Sequence, residues 1–289
     1  MSRVYEVLRR MEKEHDRRGA FPFPQPGGLL DNSTVAPTEL DGLTSVKVKI
    51  TPSSRLVALS EPRSLGAEKF RALATRLENL RQRKEMKSLQ ITSGVINEGK
   101  TLVAANLAVT LAKHGRSKVL LVEGDLHRPG LAGLLGLNDL RGLGHWWLEE
   151  APDFGHFLRQ LNDMPLWFLS AGAVHEQPSH ILQSTRFAEA FNLLAGWFDW
   201  IVVDSTPMLP AADANLWSRL VDGTLLVVRE GVASVKALQK GLESLDNLKL
   251  VGTVLNEASE SDRTGYAGQY YGVERKNNRK ANSKSEATP

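Results

Sequence analysis

The sequence predicts an α/β fold in which a mostly parallel sheet is covered by helices on both faces. Three observations carry this expectation. Short, almost wholly apolar runs alternate with helical patterns from residue 64 to residue 256. A glycine-rich turn ending in Gly99-Lys100-Thr101 joins one such run to a helix. Two other apolar runs end in the acidic residues Glu123 and Asp204, at the carboxyl ends of strands, where open α/β sheets bind ligands.

The elements follow in order. Residues 1–18 form an expected amphipathic helix, because Val4, Val7, Leu8 and Met11 recur at helical spacing among charges. Residues 19–50 have the Gly, Pro, Asn, Ser and Thr content of a linker. Near its end, Val46-Lys47-Val48-Lys49-Ile50 alternates like a short edge strand. Residues 51–258 form the expected main domain. Its first helix spans Ala67–Arg83, with Phe70, Leu73, Leu77 and Leu80 on one face. Strands are expected at Leu89–Thr92, Val119–Glu123, Leu166–Leu169, Trp200–Asp204, Thr224–Val228 and Leu250–Leu255. Helical patterns fill most gaps, including Thr101–His114, closed by Gly115, and Thr185–Gly196. Residues 259–289 lose all periodicity and read as a flexible polar tail.

Composition bounds the function. The chain has 289 residues, 42% apolar and 24% charged, enough for one large domain or two small ones. The formal net charge is only +3. Residues 273–289 hold five Lys or Arg and two Asp or Glu and account for all of it. A neutral body argues against a protein that coats nucleic acid. With no cysteine, disulfides, thiolate zinc sites and cysteine-ligated clusters are excluded. No run approaches the roughly 18 apolar residues of a membrane span, and the charged N-terminus lacks the apolar core of a secretory signal. A cytoplasmic protein is expected.

Gly94-Val95-Ile96-Asn97-Glu98-Gly99-Lys100-Thr101 fits G-x-x-x-x-G-K-[ST]. An apolar strand leads in and a helix leads out. The glycines let successive backbone N–H groups turn toward phosphate, and the helix N-terminus adds its dipole. Lys100 is expected to reach the β- and γ-phosphates of a nucleotide, and Thr101 to hold Mg²⁺. Val119–Val122 runs into Glu123-Gly124-Asp125, and Trp200–Val203 runs into Asp204. Asp204 has the position of a Walker B aspartate.

These residues together resemble the bacterial tyrosine kinases, within the ParA/MinD-type P-loop ATPases. The resemblance covers roughly residues 50–272. It rests on the P-loop, on Glu123-Gly124-Asp125-Leu126-His127-Arg128-Pro129, and on Phe198-Asp199-Trp200-Ile201-Val202-Val203-Asp204-Ser205-Thr206-Pro207. Val221-Asp222-Gly223-Thr224 and Gly252-Thr253-Val254-Leu255-Asn256 extend it. The opening residues 2–9 are similar to the start of free-standing members linked to exopolysaccharide export.

The tail supplies an independent clue. Three of the four tyrosines, Tyr266, Tyr270 and Tyr271, fall within six residues of it, although aromatics are depleted in such segments. The composition leaves open a sticky patch or a set of phosphoacceptors.

The resemblance implies a protein-tyrosine autokinase of a capsule or exopolysaccharide system that modifies these tyrosines. It implies ATP and Mg²⁺ as cofactors, bound by residues 94–101 and Asn256. Thr101, Glu123, Asp125 and Asp204 would serve the metal. Asp125 would be general base or metal ligand, with Lys100, Glu123 and Asp204 completing the catalytic set. Glu68 and Arg71 fall on the family's oligomer motif, so a ring of copies is implied. A membrane-spanning activator is implied too, recruiting the protein to the inner face of the membrane. Two other readings stay open: a nucleotide-gated scaffold of the same system, and a ParA/MinD-like positioning ATPase. Against the latter, Val95 stands where a lysine is usual. The chain departs from the family pattern at Ile96-Asn97 (usually Pro-Gly), Glu123 (usually Asp), His127 (usually Arg), Thr206 (usually Pro) and Ala74 (usually Arg).

Overall fold

Strand β3 (Val119–Glu123) and strand β6 (Trp200–Asp204) show how the sheet is built. Every residue of both is buried. Side chains of a strand alternate between faces, and here each face meets a core. Val119, Leu121, Trp200 and Val202 enter one cluster, whereas Leu120, Val122, Ile201 and Val203 enter another. A strand apolar at every position therefore needs helices on both sides.

A computed structural model describes residues 44–49, 54–115, 117–137, 139–150, 154–174, 177–209, 212–243 and 249–258. The expected N-terminal helix, most of the expected linker and the tyrosine-bearing tail lie outside the described residues. The remaining strands are β1 (Ser45–Val46), β2 (Ser88–Ser93), β4 (Leu158–Leu161), β5 (Leu166–Leu169), β7 (Gly223–Arg229) and β8 (Leu250–Asn256). The eight strands run in the order β1-β4-β5-β3-β6-β2-β7-β8. All neighbours are parallel except β4 and β5.

Strand β4 is the strand that sequence periodicity missed. Its Leu-Arg-Gln-Leu is too short and irregular to register as alternation. It forms a hairpin with β5 through Asn162 and Asp163, both at positive φ, as tight hairpin turns require. The Asn162 side chain also accepts from Val48 N, at 2.9 Å, beside the short edge strand β1.

The helices are α1 (Val57–Ser60), α2 (Leu65–Lys84), α3 (Lys100–Gly115), α4 (Leu131–Leu134), α5 (Leu143–Leu148), α6 (Pro178–Gln183), α7 (Thr185–Trp197), α8 (Asp213–Leu220) and α9 (Val235–Glu243). Ser64 caps α2 by accepting from Ala67 N, and Ser184 caps α7 by accepting from Phe187 N. Helix α3, which leaves the glycine-rich turn, is wedged between the sheet and α2. Val103 through Ala112 are all buried, and the small Ala104, Ala105, Ala108 and Ala112 let the backbones approach. Its one buried amide, Asn106, accepts from Ala58 N and donates to the Arg55 and Leu102 carbonyls. On the opposite face, Trp146, Phe187, Phe191 and Trp217 pack with α5, α7 and α8. Each such side chain, fully buried, contributes roughly 1.5–3 kcal/mol. The two layers thus fix the carboxyl ends of β2, β3 and β6 side by side.

Candidate active site

The glycine-rich loop lies between β2 and α3, as its spacing predicts. Two of its residues adopt left-handed backbone, Asn97 at φ +66° and Gly99 at φ +90°. Asn97 occupies a position that is usually glycine in the resembled family. Asparagine is among the few side chains that tolerate this region, so the substitution keeps the turn. Gly99 has no such latitude, because a Cβ there would lie 2.2 Å from Asn256 Nδ2. Asn256, at the end of β8, donates from that atom to the Glu98 carbonyl at 2.9 Å. Ile96 stands half exposed at the loop's tip.

Glu98 turns away from the mouth of the loop. Its side chain is fully buried and accepts from Val95 N at 2.9 Å and from Arg229 N at 3.2 Å. Burial raises its pKa, and the N–H groups of Val95, Arg229 and Gly94 only partly oppose that. Its carboxylate therefore braces the loop against β7, and the expectation that Glu98 binds nucleotide holds at most for its backbone.

Lys100 opens α3 and points at two carboxylates on neighbouring strands. Its Nζ lies 2.9 Å from Asp125 Oδ2, 3.5 Å from Asp204 Oδ1 and 3.4 Å from Thr101 Oγ1. Burial pulls the Lys100 pKa down, but Asp204 and Asp125 outweigh it and hold the ammonium above its ordinary value. Asp204 is buried, and neither of its oxygens has a well-formed hydrogen bond. Burial pushes its pKa up to about 6, against the lowering effect of Lys100 and the nearby Thr101 hydroxyl; Asp125 and Glu123 push the same way as burial.

Asp125 follows β3 on a loop that passes directly over Asp204. Gly124 N donates to the Asp204 carbonyl at 2.8 Å. A Cβ on Gly124 would meet Val203 Cγ1 at 2.7 Å and Trp217 Cε2 at 2.9 Å, so only glycine permits this approach. Trp217 Nε1 donates to the Gly124 carbonyl, and Arg128 N donates to Asp125 Oδ1. His127 Nε2 sits 2.9 Å from Asp213 Oδ2, on the buried first residue of α8. Burial raises the Asp213 pKa, and His127 opposes this.

The structure thus brings Lys100, Thr101, Asp125 and Asp204 together. Glu123, expected to serve the metal, lies close enough to raise the Asp204 pKa but is turned to other partners. It is paired with Asp204 in the sheet register, yet its own oxygens are occupied. Oε1 accepts from Leu131 N at 2.7 Å and Ala132 N at 2.9 Å. Oε2 accepts from Ser170 Oγ at 3.1 Å and Ala171 N at 3.0 Å.

A divalent cation fits the rest of the site. A buried carboxylate at Asp204 that lacks a well-formed hydrogen bond, a second at Asp125 and the Thr101 hydroxyl are hard oxygen donors. Among the described residues no group of three or more His, Cys, Asp or Glu converges as a dedicated cage. Two carboxylates and a hydroxyl are a donor set compatible with Mg²⁺, which takes one or two carboxylates together with substrate phosphates.

Gln90 escaped sequence reasoning. Its Nε2 donates to Ser205 Oγ and the Ala214 carbonyl, both at 2.9 Å, and its Oε1 accepts from Thr224. It locks the turn after Asp204 to α8 and β7. The one signal was a long polar side chain in the middle of an apolar strand. Glu68 and Arg71 pair with each other on the surface of α2, and Arg71 also donates to the Pro62 carbonyl at 2.7 Å. Tyr266, Tyr270 and Tyr271 lie outside the described residues. The last described stretch reaches the loop's flank: Glu257 pairs with Arg229, whose Nη1 approaches the Asn97 carbonyl at 3.4 Å.

No family model matches the chain. It is 31% identical over 220 residues to the tyrosine-protein kinase YwqD of Bacillus subtilis (strain 168), covering 75% of this chain and 91% of that protein. It is 30% identical over 207 residues to the tyrosine-protein kinase CpsD of Streptococcus pneumoniae, covering 70% and 89%. The succinoglycan biosynthesis transport protein ExoP of Rhizobium meliloti (strain 1021) is 30% identical over 223 residues, covering 75% of this chain and 28% of the longer protein. Among solved structures, the chimerical protein CapA2B2 superposes with a TM-score of 0.67 at 27% identity, over 76% of this chain and 96% of that one. The septum site-determining protein MinD of Pyrococcus horikoshii OT3, complexed with Mg-ADP, gives a TM-score of 0.51 at 26% identity, over 60% and 72%.

Proposed function

The chain belongs to the bacterial tyrosine-protein kinases, and we propose that it phosphorylates its own tail tyrosines, Tyr266, Tyr270 and Tyr271, in the control of exopolysaccharide or capsule assembly. The observation that carries the phosphoryl-transfer site is the buried group of Lys100, Asp125 and Asp204 at the mouth of the glycine-rich loop.

The backbone of residues 94–101 cradles the phosphates of ATP, with Asn256 bracing the loop from behind. Lys100 neutralises charge on the β- and γ-phosphates. Mg²⁺, when bound by Thr101, Asp125 and Asp204, supplies Lewis-acid neutralisation of the transferring group. A tyrosine phenol has a pKa near 10, so its proton must leave as the oxygen attacks. Asp125 either takes that proton as general base or holds the metal that lowers the phenol's pKa, as the new O–P bond forms and the bond to the departing ADP oxygen breaks. Positioning and charge neutralisation do most of the work in this chemistry.

The partners follow as part of the same proposal. None of the described helices is long and apolar enough to cross a membrane, and this chain matches 28% of ExoP. Following the family resemblance, the proposal includes a membrane-spanning co-polymerase that recruits and activates the kinase at the membrane's inner face, and contacts between copies to which Glu68 and Arg71 contribute.

Trypsin should release Thr264–Arg275, one peptide holding all three tail tyrosines. Mass spectrometry of that peptide, from native cells carrying wild type or Lys100→Met, tests the proposal. Phosphate on the wild-type peptide that is missing in Lys100→Met is expected. An unmodified peptide in both, in cells exporting polysaccharide, overturns autokinase activity in favour of a nucleotide-gated scaffold.

A further inference from the structure

We infer that Glu123 is a positioning residue that builds the loop carrying Asp125, and that it does not move to the metal when nucleotide binds. A carboxylate offers about four lone-pair sites, and four donors fill those of Glu123. Two are the first two N–H groups of α4, Leu131 and Ala132. The residue before them, Gly130, has no side chain to cap this helix. The other two belong to the turn after β5, Ser170 Oγ and Ala171 N.

These donors join distant segments. The Ser170 and Ala171 carbonyls in turn accept from Leu143 N at 2.9 Å and Gly144 N at 2.8 Å, which start α5. One buried carboxylate, 1% exposed, therefore pins the far end of the 124–130 loop, the turn at 170–171 and the start of α5. Asp125 is the second residue of that loop, so its distance to Lys100 depends on both anchors, β3 on one side and α4 on the other. To ligate a metal, Glu123 would have to abandon buried N–H groups and leave them unpaired, at their full desolvation penalty. The extra methylene of glutamate over aspartate supplies the reach to both donor pairs.

The inference rests on the Mg-ATP reading only where it concerns the metal. Amide hydrogen exchange on the folded full-length protein tests it, with and without Mg-ADP, in wild type and Glu123→Gln. In wild type, the Leu131, Ala132 and Ala171 amides should be protected in both conditions. In Glu123→Gln they should exchange at least roughly tenfold faster while amides in α7 do not change. Loss of protection in wild type on adding Mg-ADP overturns the inference, and so does equal exchange in the two proteins. Should Glu123→Gln not fold, the wild-type comparison still decides.

A kinetic arm separates positioning from mere stability. Per folded molecule, kcat of Glu123→Gln should fall roughly tenfold or more, with the KM for ATP little changed. An unchanged kcat reduces Glu123 to a fold-stabilising role and overturns the inference. Titration of wild type with a fluorescent ADP and Mg²⁺ keeps the two readings apart. If nothing binds, the nucleotide-site reading fails, while the exchange comparison between wild type and Glu123→Gln still decides whether Glu123 holds the loop.

Discussion

Replacing Asp204 by asparagine should stabilise the nucleotide-free protein while destroying its metal site. Asp204 is buried without a well-formed hydrogen bond on either oxygen, and its pKa is raised from 3.8 to about 6. The native state therefore holds the proton more tightly than the unfolded chain. The stability this confers is complete below about pH 4 and is lost as pH rises through about 6. Above that range the ionised carboxylate costs about 3 kcal/mol relative to a group that never ionises. Asparagine removes this penalty, but Lys100 then keeps only Asp125 as a carboxylate partner. The attraction of Lys100 is already contained in that raised pKa, so the net gain is about 3 kcal/mol. For a domain of this size that is a rise in Tm of about 6–12 °C. Thermal melts of wild type and Asp204→Asn without nucleotide, at pH 8 and pH 4.5, are the assay. The Asp204 penalty should shrink to about a third at the lower pH, and the gap in Tm should narrow with it. Mg-ADP should raise the Tm of wild type and not that of the variant. If Asp204→Asn melts at or below wild type at pH 8, the carboxylate is a net stabiliser through Lys100 and the reasoning fails.

Other outcomes follow from the loop and the tail. Asn97→Gly should keep nucleotide affinity and leave Tm equal or slightly higher, whereas Asn97→Val, β-branched at φ +66°, should cost about 1–2 kcal/mol; chemical denaturation reads both. Gly99→Ala should lose about 1–3 kcal/mol and most nucleotide binding, because strained backbone is added to a clash with Asn256 Nδ2. Gly99→Ala combined with Asn256→Ala should recover the part of the stability loss owed to the clash, and equal stability of the single and double variants would remove Asn256 from the explanation. Phosphorylation of all three tail tyrosines adds roughly −4.5 to −6 charges to a tail, residues 259–289, of net charge +2. Sedimentation of unmodified and phosphorylated protein should show smaller assemblies after modification; identical distributions would detach the tail from assembly.

The sequence alone determined what is local. The glycine-lysine turn, the strand entering it and the helix leaving it lie within a few residues of one another, so spacing sufficed. The same holds for Asp204 and Asp125, because a strand apolar on both faces announces where it ends and its acidic terminus comes with it. Helix α2 was legible from four apolar residues at helical spacing, and the structure turns that face inward. Strand β4 was not legible, since it exists only by pairing with β5 and β1. The carboxylates divide in the same way. Nothing near Glu123 in the chain says that Ser170 and Ala171, nearly fifty residues on, will take its second oxygen. Nothing near Glu98 says that Arg229 N will meet it from β7. A side chain's chemistry depends on which of its lone pairs remain unused. Tertiary packing decides that by delivering backbone N–H groups to Glu98 and Glu123 and none to Asp204. It left Asp204 as the buried carboxylate with ligand capacity to spare, beside a lysine and a second carboxylate that the motif had already placed.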